Sequence, residues 1–416
     1  MPTFRTVDDI QLGDLAFWAK PLAERDAAFA ALRDRMPLAF HEEVNEFPGV
    51  PKGPGFWSAV TYDDVRMINR QALNFSSAQG ITLGEQAPET LEFFGSMIVL
   101  DDPRHAKMRL LVQAGFTPKM VAKVEESVRD RARALVEKAS VMGQCDFVEH
   151  FAAPLPLQVI CDMLGVPPED EKQIFDWTNV ILGVGDPEFG QSLDVLINAA
   201  LGMFQYAQAL GEDRQAHPRE DISSTLMHAE VDGQRLTAAE FGSFFILLAV
   251  AGNETTRNAI SWGMKALTDH PDQRKALQEN YGELSMKATD EIVRWASPVI
   301  HMRRTALRDV DINGTTINEG DKVVMWYWSA NRDDKAFPKG NQFDIFRPNT
   351  ADMIGYGGGG PHFCLGANLA RREIQVMFDE IFRQLPDLHI TGEPDRLQSA
   401  FINGIKRMPC AFTPRS

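Results

Sequence analysis

The stretch Gly355-Tyr-Gly-Gly-Gly-Gly-Pro-His-Phe-Cys364-Leu-Gly-Ala-Asn-Leu-Ala-Arg-Arg-Glu373 is the most informative part of the chain. Its glycine run, Gly357 to Gly360, removes every Cβ, so the backbone can approach another group closely. A helix-forming run, Ala367 to Phe382, follows at once. Cys364 therefore stands just ahead of a helix N-terminus, where free N–H groups and the macrodipole favour a thiolate. Such a thiolate suits iron, and haem iron is one metal that a single cysteine can hold. Three other readings compete. Gly355, Gly357 and Gly360 fit the dinucleotide fingerprint G-x-G-x-x-G, but that motif must follow a strand, and the preceding Arg347-Pro-Asn-Thr-Ala-Asp-Met-Ile is loop-like. His362 as base for a nucleophilic Cys364 sits only two residues away on a tight loop, with no orienting Asn or Asp evident. An inert buried cysteine would leave the glycines unexplained. For Cys145, Cys161 and Cys410, which have no such setting, inert burial is the better reading.

Outward from this loop, the chain has 416 residues, enough for two or three average domains or one large one. Apolar residues make up 44% and charged residues 24%, which excludes disorder and fibrous repeats. Asp and Glu outnumber Lys and Arg by 58 to 42, and the net charge of −16 argues against binding nucleic acid or anionic membranes. The four cysteines are too widely spaced for a disulfide framework or a structural zinc site, so the compartment reads as reducing. The N-terminus lacks the basic start and apolar stretch of a signal peptide. The greasiest run, Phe244 to Ala251, is roughly half the length needed to cross a bilayer. We expect a cytoplasmic protein without a membrane anchor.

Long helical patterns dominate. Val112 to Ala139 alternates apolar and charged positions at helical spacing, and Phe241 to Leu267 is the longest mostly apolar helix candidate. Strand-like pieces are short. They include Trp57 to Tyr62, a hairpin over Val310 to Ile317 turning at Asn313-Gly314, and a second hairpin turning at Asn403-Gly404 between Ala400-Phe-Ile and Ile405-Lys. No repeat, linker or low-complexity tract marks a boundary, and residues 1–416 are treated as one domain. The fold class is mainly α with small β pieces.

Three further constellations have polar groups in suggestive places. Glu291-Ile-Val-Arg294 sets an acid and a base at i,i+3, ordinarily a weak surface pair. Ala251-Gly252-Asn253-Glu254-Thr255-Thr256 interrupts an apolar helix with an acid and two hydroxyls, and Gly252 thins the helix where a ligand could press. Hydroxyls in a helix also bond back to the preceding turn. His105 and Arg109 share one helix face at i,i+4.

Taken together, the quoted loop resembles the haem-binding signature of the cytochrome P-450 monooxygenases, with Tyr356 where that signature has Phe. The resemblance implies the P-450 fold, with haem b between a long central helix and the cysteine loop and Cys364 as the iron ligand. It implies that Thr255 hydrogen-bonds the oxygen being activated and that Glu254 relays protons through water. It implies that His105, Arg109, Arg304 and His362 contact the haem propionates. By the same resemblance, Glu291 and Arg294 form a buried structural pair completed by Arg347.

The resemblance extends over essentially the whole chain. It is closest to an actinobacterial subgroup, the methyl-branched lipid omega-hydroxylases related to cholesterol side-chain oxidases. Phe94-Gly-Ser-Met-Ile-Val-Leu-Asp-Asp-Pro, Trp177-Thr-Asn-Val-Ile-Leu-Gly and Trp295-Ala-Ser-Pro-Val carry it beyond the cysteine loop. It implies hydroxylation of a terminal methyl, with Phe94, Met97, Val250, Ala251, Val299, Phe401 and Ile402 shaping the substrate channel. Other hydrophobic substrates, such as a sterol, terpenoid or linear fatty acid, are the alternative, and a haem-free cysteine hydrolase or redox sensor is the rival from another class. The electron donors implied are a ferredoxin and its reductase. Asp101 to Lys138 holds nine Lys and Arg against six Asp and Glu, which with Arg371 and Arg372 gives a candidate docking face, or an ordinary salt-bridged surface.

Overall fold

The apolar run expected to make the longest helix forms one of 32 residues, Ala238–Asp269. Thr237 starts it with a capping box, its side chain accepting from the Glu240 N–H while the Glu240 carboxylate accepts from the Thr237 N–H. This central helix packs against helices Leu193–Ala216 and Pro154–Leu164 on one side, and against Tyr281–Ala296 and Ala367–Gln384 on another. It is buried on most of its circumference, which is why its sequence is apolar nearly all round. The computed structural model describes residues 10–43, 52–85, 91, 96–113, 118–183, 185–189, 192–230 and 232–415.

The pattern read over Val112 to Ala139 belongs to two helices, Arg104–Gln113 and Pro118–Ala139. Strands are short: β1 (Leu38–His41), β2 (Phe56–Ala59), β3 (Phe75–Ser76), β4 (Gln144–Asp146), β5 (His301–Ala306), β6 (Val310–Ile312), β7 (Thr315–Ile317), β8 (Lys322–Trp326), β9 (His389–Ile390), β10 (Asp395–Arg396), β11 (Ile405–Arg407) and β12 (Pro409–Ala411). The largest sheet has the order β1-β2-β8-β5-β3, and an aromatic cluster of Trp18, Phe29, Phe56 and Trp326 covers part of it. The strand expected over Trp57 to Tyr62 ends at Ala59, because Thr61 caps the next helix by accepting from the Asp64 N–H.

One hairpin reading holds and the other does not. β6 and β7 pair around Asn313 and Gly314, both at positive φ (53° and 83°), as an Asn-Gly turn requires. Near the C-terminus, β11 pairs instead with β10, so Asn403-Gly404 lies in a longer loop. Tertiary bonds claim Asn403: its N–H donates to Pro298 O (2.9 Å), its amide to Ala296 O (2.6 Å), and its carbonyl accepts from Trp262 Nε1 (2.9 Å). Those partners outweigh the local turn preference.

Candidate active site

A mostly apolar cavity lies between the central helix and the cysteine loop. Its roof includes Leu247, Ala251, Thr255 and Ala259, spaced four apart so that they fall on one helix face. Its floor is Tyr356, Phe363, Cys364, Leu369 and Glu373. All four glycines from Gly357 to Gly360 have positive φ (98°, 62°, 101° and 85°), a conformation unfavourable for other residues. The close approach they allow is to protein: a Cβ on Gly360 would stand 2.2 Å from Asn69 O. The glycine run therefore seats the loop on the helix Tyr62–Arg70, and Cys364 N–H donates to Tyr356 O (3.0 Å) to close it.

Cys364 is exposed towards the cavity and precedes the helix Ala367–Gln384. The helix terminus alone does not make it a thiolate. Burial pushes the thiol up, outweighing the opposing Gly366 N–H, Arg109 and Arg371. A bound cation that displaces the proton is the way such a sulfur becomes anionic.

Donors gather at one edge of the same cavity. His105 and His362 have ring centroids 4.2 Å apart, and His362 Nε2 lies 3.2 Å from Ser77 Oγ. Burial, then Arg304, His105 and Arg109, lowers the His362 pKa to about 3, so it is neutral at ordinary pH. His105 is buried, with Nδ1 3.2 Å from Asp102 Oδ1 and Nε2 without a partner. Arg109 donates to the carbonyls of Pro361 (3.1 Å) and Phe363 (2.7 Å). Arg304 is buried and donates to Arg303 O (2.7 Å). Among the described residues, neither Arg109 nor Arg304 has a carboxylate within ion-pair distance. Two guanidinium groups and an orphaned imidazole nitrogen beside a cysteine call for an anionic ligand.

A family model for cytochrome P450 matches residues 86–399. The chain belongs to the cytochrome P-450 family. It is 50% identical over 410 residues, 98% of this chain and 95% of the relative, to a methyl-branched lipid omega-hydroxylase of Mycobacterium tuberculosis. To a steroid C26-monooxygenase of Rhodococcus jostii it is 42% identical, over 93% of this chain and 82% of the relative. Among solved structures, it superposes on a cytochrome P-450 of Mycobacterium marinum in complex with pseudoionone with a TM-score of 0.93 at 38% identity, covering 99% and 100% of the two chains. The protein is a P-450 monooxygenase, mainly α in fold, of a family whose cofactor is thiolate-ligated haem. The residues present fit that group: one cavity-lining cysteine and, for two propionates, two guanidinium groups without carboxylate partners among the described residues and an unpartnered His105 nitrogen. Among the described residues, no helix is long and apolar enough to cross a membrane.

In this P-450 not every expected site residue reaches the cavity. Met97, Ala251, Val299 and Thr255 line it, with Cys364, His105, Arg109, Arg304 and His362. Val250 does not; it is one residue, about 100°, off the cavity face of the helix and packs against the core instead. Glu254, adjacent to Thr255, is turned away for the same reason, buried and ion-paired with Arg257. Burial raises its pKa, and Arg257 opposes the rise. Arg257 is held in turn by Asn179 Oδ1 (2.9 Å) on the helix Glu171–Leu182. Phe401 stacks edge-on against His301 (5.4 Å), and Ile402 is buried opposite Val299; neither lines the cavity. Phe94 lies outside the described residues. Gly252 borders the cavity, yet a Cβ there would meet Ile160 at 3.2 Å, so its smallness serves helix packing. The central helix is unbroken here, with Thr255 Oγ1 donating back to Ala251 O (2.8 Å).

Sequence reasoning missed Leu247, Ala259, Ile160, Met163 and Glu373. Stepping by four from Ala251 and Thr255 would have found the first two and rejected Val250. Glu373 is four residues beyond Leu369 on the cysteine helix, fully buried, with one carboxylate oxygen unpartnered and its pKa pushed well up by burial.

Glu291, Arg294 and Arg347 meet in the interior. Arg294 Nε and a terminal nitrogen donate to the two Glu291 oxygens, both at 2.7 Å, and Arg347 Nε is 3.3 Å from Glu291 Oε2. Among the described residues, five arginines of the candidate docking face are paired with acids. Arg129 pairs with Asp379, Arg131 with Asp162, Arg133 with Asp130, Arg371 with Asp290 and Arg372 with Glu125.

Proposed function

We propose that this P-450 hydroxylates the terminal methyl of methyl-branched lipids, branched fatty acids, isoprenoid alcohols and sterol side chains among them. In this reading it works in the cytoplasm, with two electrons from a ferredoxin and ferredoxin reductase. Haem b held by Cys364 would supply the activation of dioxygen. The observation that carries the reading is the 50% identity, over 98% of this chain, to a methyl-branched lipid omega-hydroxylase. The apolar lining of Met97, Ile160, Leu247, Ala251 and Val299 supports it, since a hydrocarbon tail asks for such walls. The steroid C26-monooxygenases among the relatives favour sterols as the second substrate class.

In this scheme the chain's own groups bind, position and deliver protons. His105, Arg109, Arg304 and His362 hold the propionates, and the apolar walls exclude water. A terminal primary C–H bond is stronger than the adjacent tertiary one, so attack at the chain end is a matter of placement rather than reactivity. Incubating the reconstituted enzyme with a methyl-branched fatty acid and identifying the alcohols tests this. The primary terminal alcohol should predominate, and a linear analogue should turn over less well, by about 1–3 kcal/mol in transition-state binding per methyl lost. Mainly tertiary or mid-chain alcohols would overturn the terminal assignment.

Thr255 lines the cavity; in this scheme its hydroxyl turns from Ala251 O to the oxygen being activated, and Glu254 feeds it protons through water after its carboxylate leaves Arg257. Thr255→Ala is expected to leave substrate affinity nearly unchanged while product per NAD(P)H falls several-fold and hydrogen peroxide rises. Glu254→Gln should slow turnover at similar affinity. Coupling and rate unchanged in Thr255→Ala would remove Thr255 from the relay.

A further inference from the structure

Two of the cysteines read as unrelated buried thiols meet in the fold. Cys145 on β4 stands directly opposite Cys410 on β12 in an antiparallel pair, with their sulfurs 3.7 Å apart although 265 residues separate them in sequence. Backbone bonds flank the pair two residues away on either side, Phe147 N–H to Met408 O (2.8 Å) and Phe412 N–H to Gly143 O (2.9 Å). In that register Cys145 and Cys410 are a hydrogen-bonded pair, whose Cα atoms lie about 5.5 Å apart. That separation is within the window a disulfide spans, and side-chain rotation has only to bring the sulfurs to about 2 Å.

We propose that Cys145 and Cys410 are a redox modification site, closed to a disulfide by hydrogen peroxide and reopened by a thiol reductant. Peroxide is the two-electron product of a monooxygenase that reduces dioxygen without hydroxylating its substrate, so the oxidant arises where the protein works. Cys145 is the attacking sulfur, because it is half-buried while Cys410 is buried. Its thiol is also held below the usual range by the hydrogen bond with Cys410. The Cys145 thiolate attacks one peroxide oxygen, the O–O bond breaks, and the other oxygen leaves as hydroxide, which takes up a proton to become water. Cys410 sulfur then attacks the sulfenic sulfur of Cys145, forming the S–S bond and expelling hydroxide, which leaves with the Cys410 proton as a second water. Two thiols lose two electrons and the peroxide gains them.

The remaining cysteines do not compete. Cys161 is buried, its thiol pushed up by burial, and the sulfur contact among the described residues is the one between Cys145 and Cys410. Cys364 borders the cavity on the floor of the active site. The bond would tie β12, the last strand of the chain, to β4, next to the Phe147–Phe151 packing beneath the central helix. A cross-link closing so long a loop limits the unfolded chain, so the oxidised protein should unfold at a higher temperature.

The test treats haem-loaded enzyme briefly with a small molar excess of hydrogen peroxide, then denatures, alkylates and maps peptides. The expected result is a fall from four alkylatable thiols to two, a cross-linked peptide joining Cys145 to Cys410, and recovery of four after reduction. Cys161→Ser should leave the cross-link intact, whereas Cys145→Ser should abolish it and leave Cys410 alkylatable. Recovery of Cys145 and Cys410 from the wild-type enzyme as separate alkylated or sulfinic peptides would overturn the proposal. That readout needs no variant to fold.

Discussion

Ferrous Cys364→Ser protein under carbon monoxide is expected to lack the strongly red-shifted Soret band of the parent enzyme, with hydroxylation reduced to background. The change is a single atom in a residue whose surroundings are otherwise set by protein. Gly355, Tyr356 and Gly357 remain beside it, and the Cys364 N–H bond to Tyr356 O is a backbone bond that serine keeps. What serine lacks is a soft, electron-rich sulfur anion. Its hydroxyl is far harder to deprotonate, and it does not push electron density towards O–O cleavage as a thiolate does. Because the fold around position 364 is undisturbed, the variant should still take up haem, which separates loss of the ligand from loss of the protein. The measurement is the ferrous–carbon monoxide spectrum normalised to haem content. An unchanged red-shifted band in Cys364→Ser would show that another residue holds the iron.

Glu291→Ala should be nearly as damaging for an entirely different reason. Glu291 and Arg294 are fully buried, and Arg347 is almost so. Removing the carboxylate leaves two guanidinium groups in the interior with carbonyls as partners: Asn331, Gly340 and Gln342 for Arg294, and Pro338, Lys339 and Gln342 for Arg347. Breaking a buried pair from one side costs about 3–5 kcal/mol, against a typical total stability of about 5–15 kcal/mol. Glu291 also accepts from the Asp344 N–H (2.8 Å), so the loop leading to the cysteine loses an anchor. The expected outcome is little or no haem-loaded protein and a large fall in denaturant midpoint. Lys172→Ala, removing a partner from an exposed i,i+4 pair with Asp176, should change stability by less than about 0.5 kcal/mol. Similar midpoints for the two variants would refute the structural role of the buried network.

How far the sequence could be read depended on how local each cause was. The cysteine loop, the central helix over Phe241 to Leu267 and the Asn313-Gly314 hairpin follow from the residues that form them, and each was legible; the Thr237 cap was not singled out. The Asn403-Gly404 turn was misread because its neighbours are distant in sequence: Trp262, Ala296 and Pro298 bind Asn403 more firmly than the turn itself could. Thr255 and Glu254, expected to act in one relay, are adjacent helical residues and so point about 100° apart; of the two, only Thr255 lines the cavity.

The P-450 family, and with it the expectation of thiolate-ligated haem, could be read from the chain alone, because a cysteine on a glycine loop ahead of a helix is a local pattern with few uses. Which apolar residues line the cavity, and that burial raises the Cys364 thiol against the pull of its helix, came from the packing of distant segments. The same holds for the pairing of Arg129, Arg131, Arg133, Arg371 and Arg372 with acids and for the contact of Cys145 with Cys410. Each of these depends on which distant segments are brought together, and on the dielectric and charge they bring with them. A pattern along the chain carries neither.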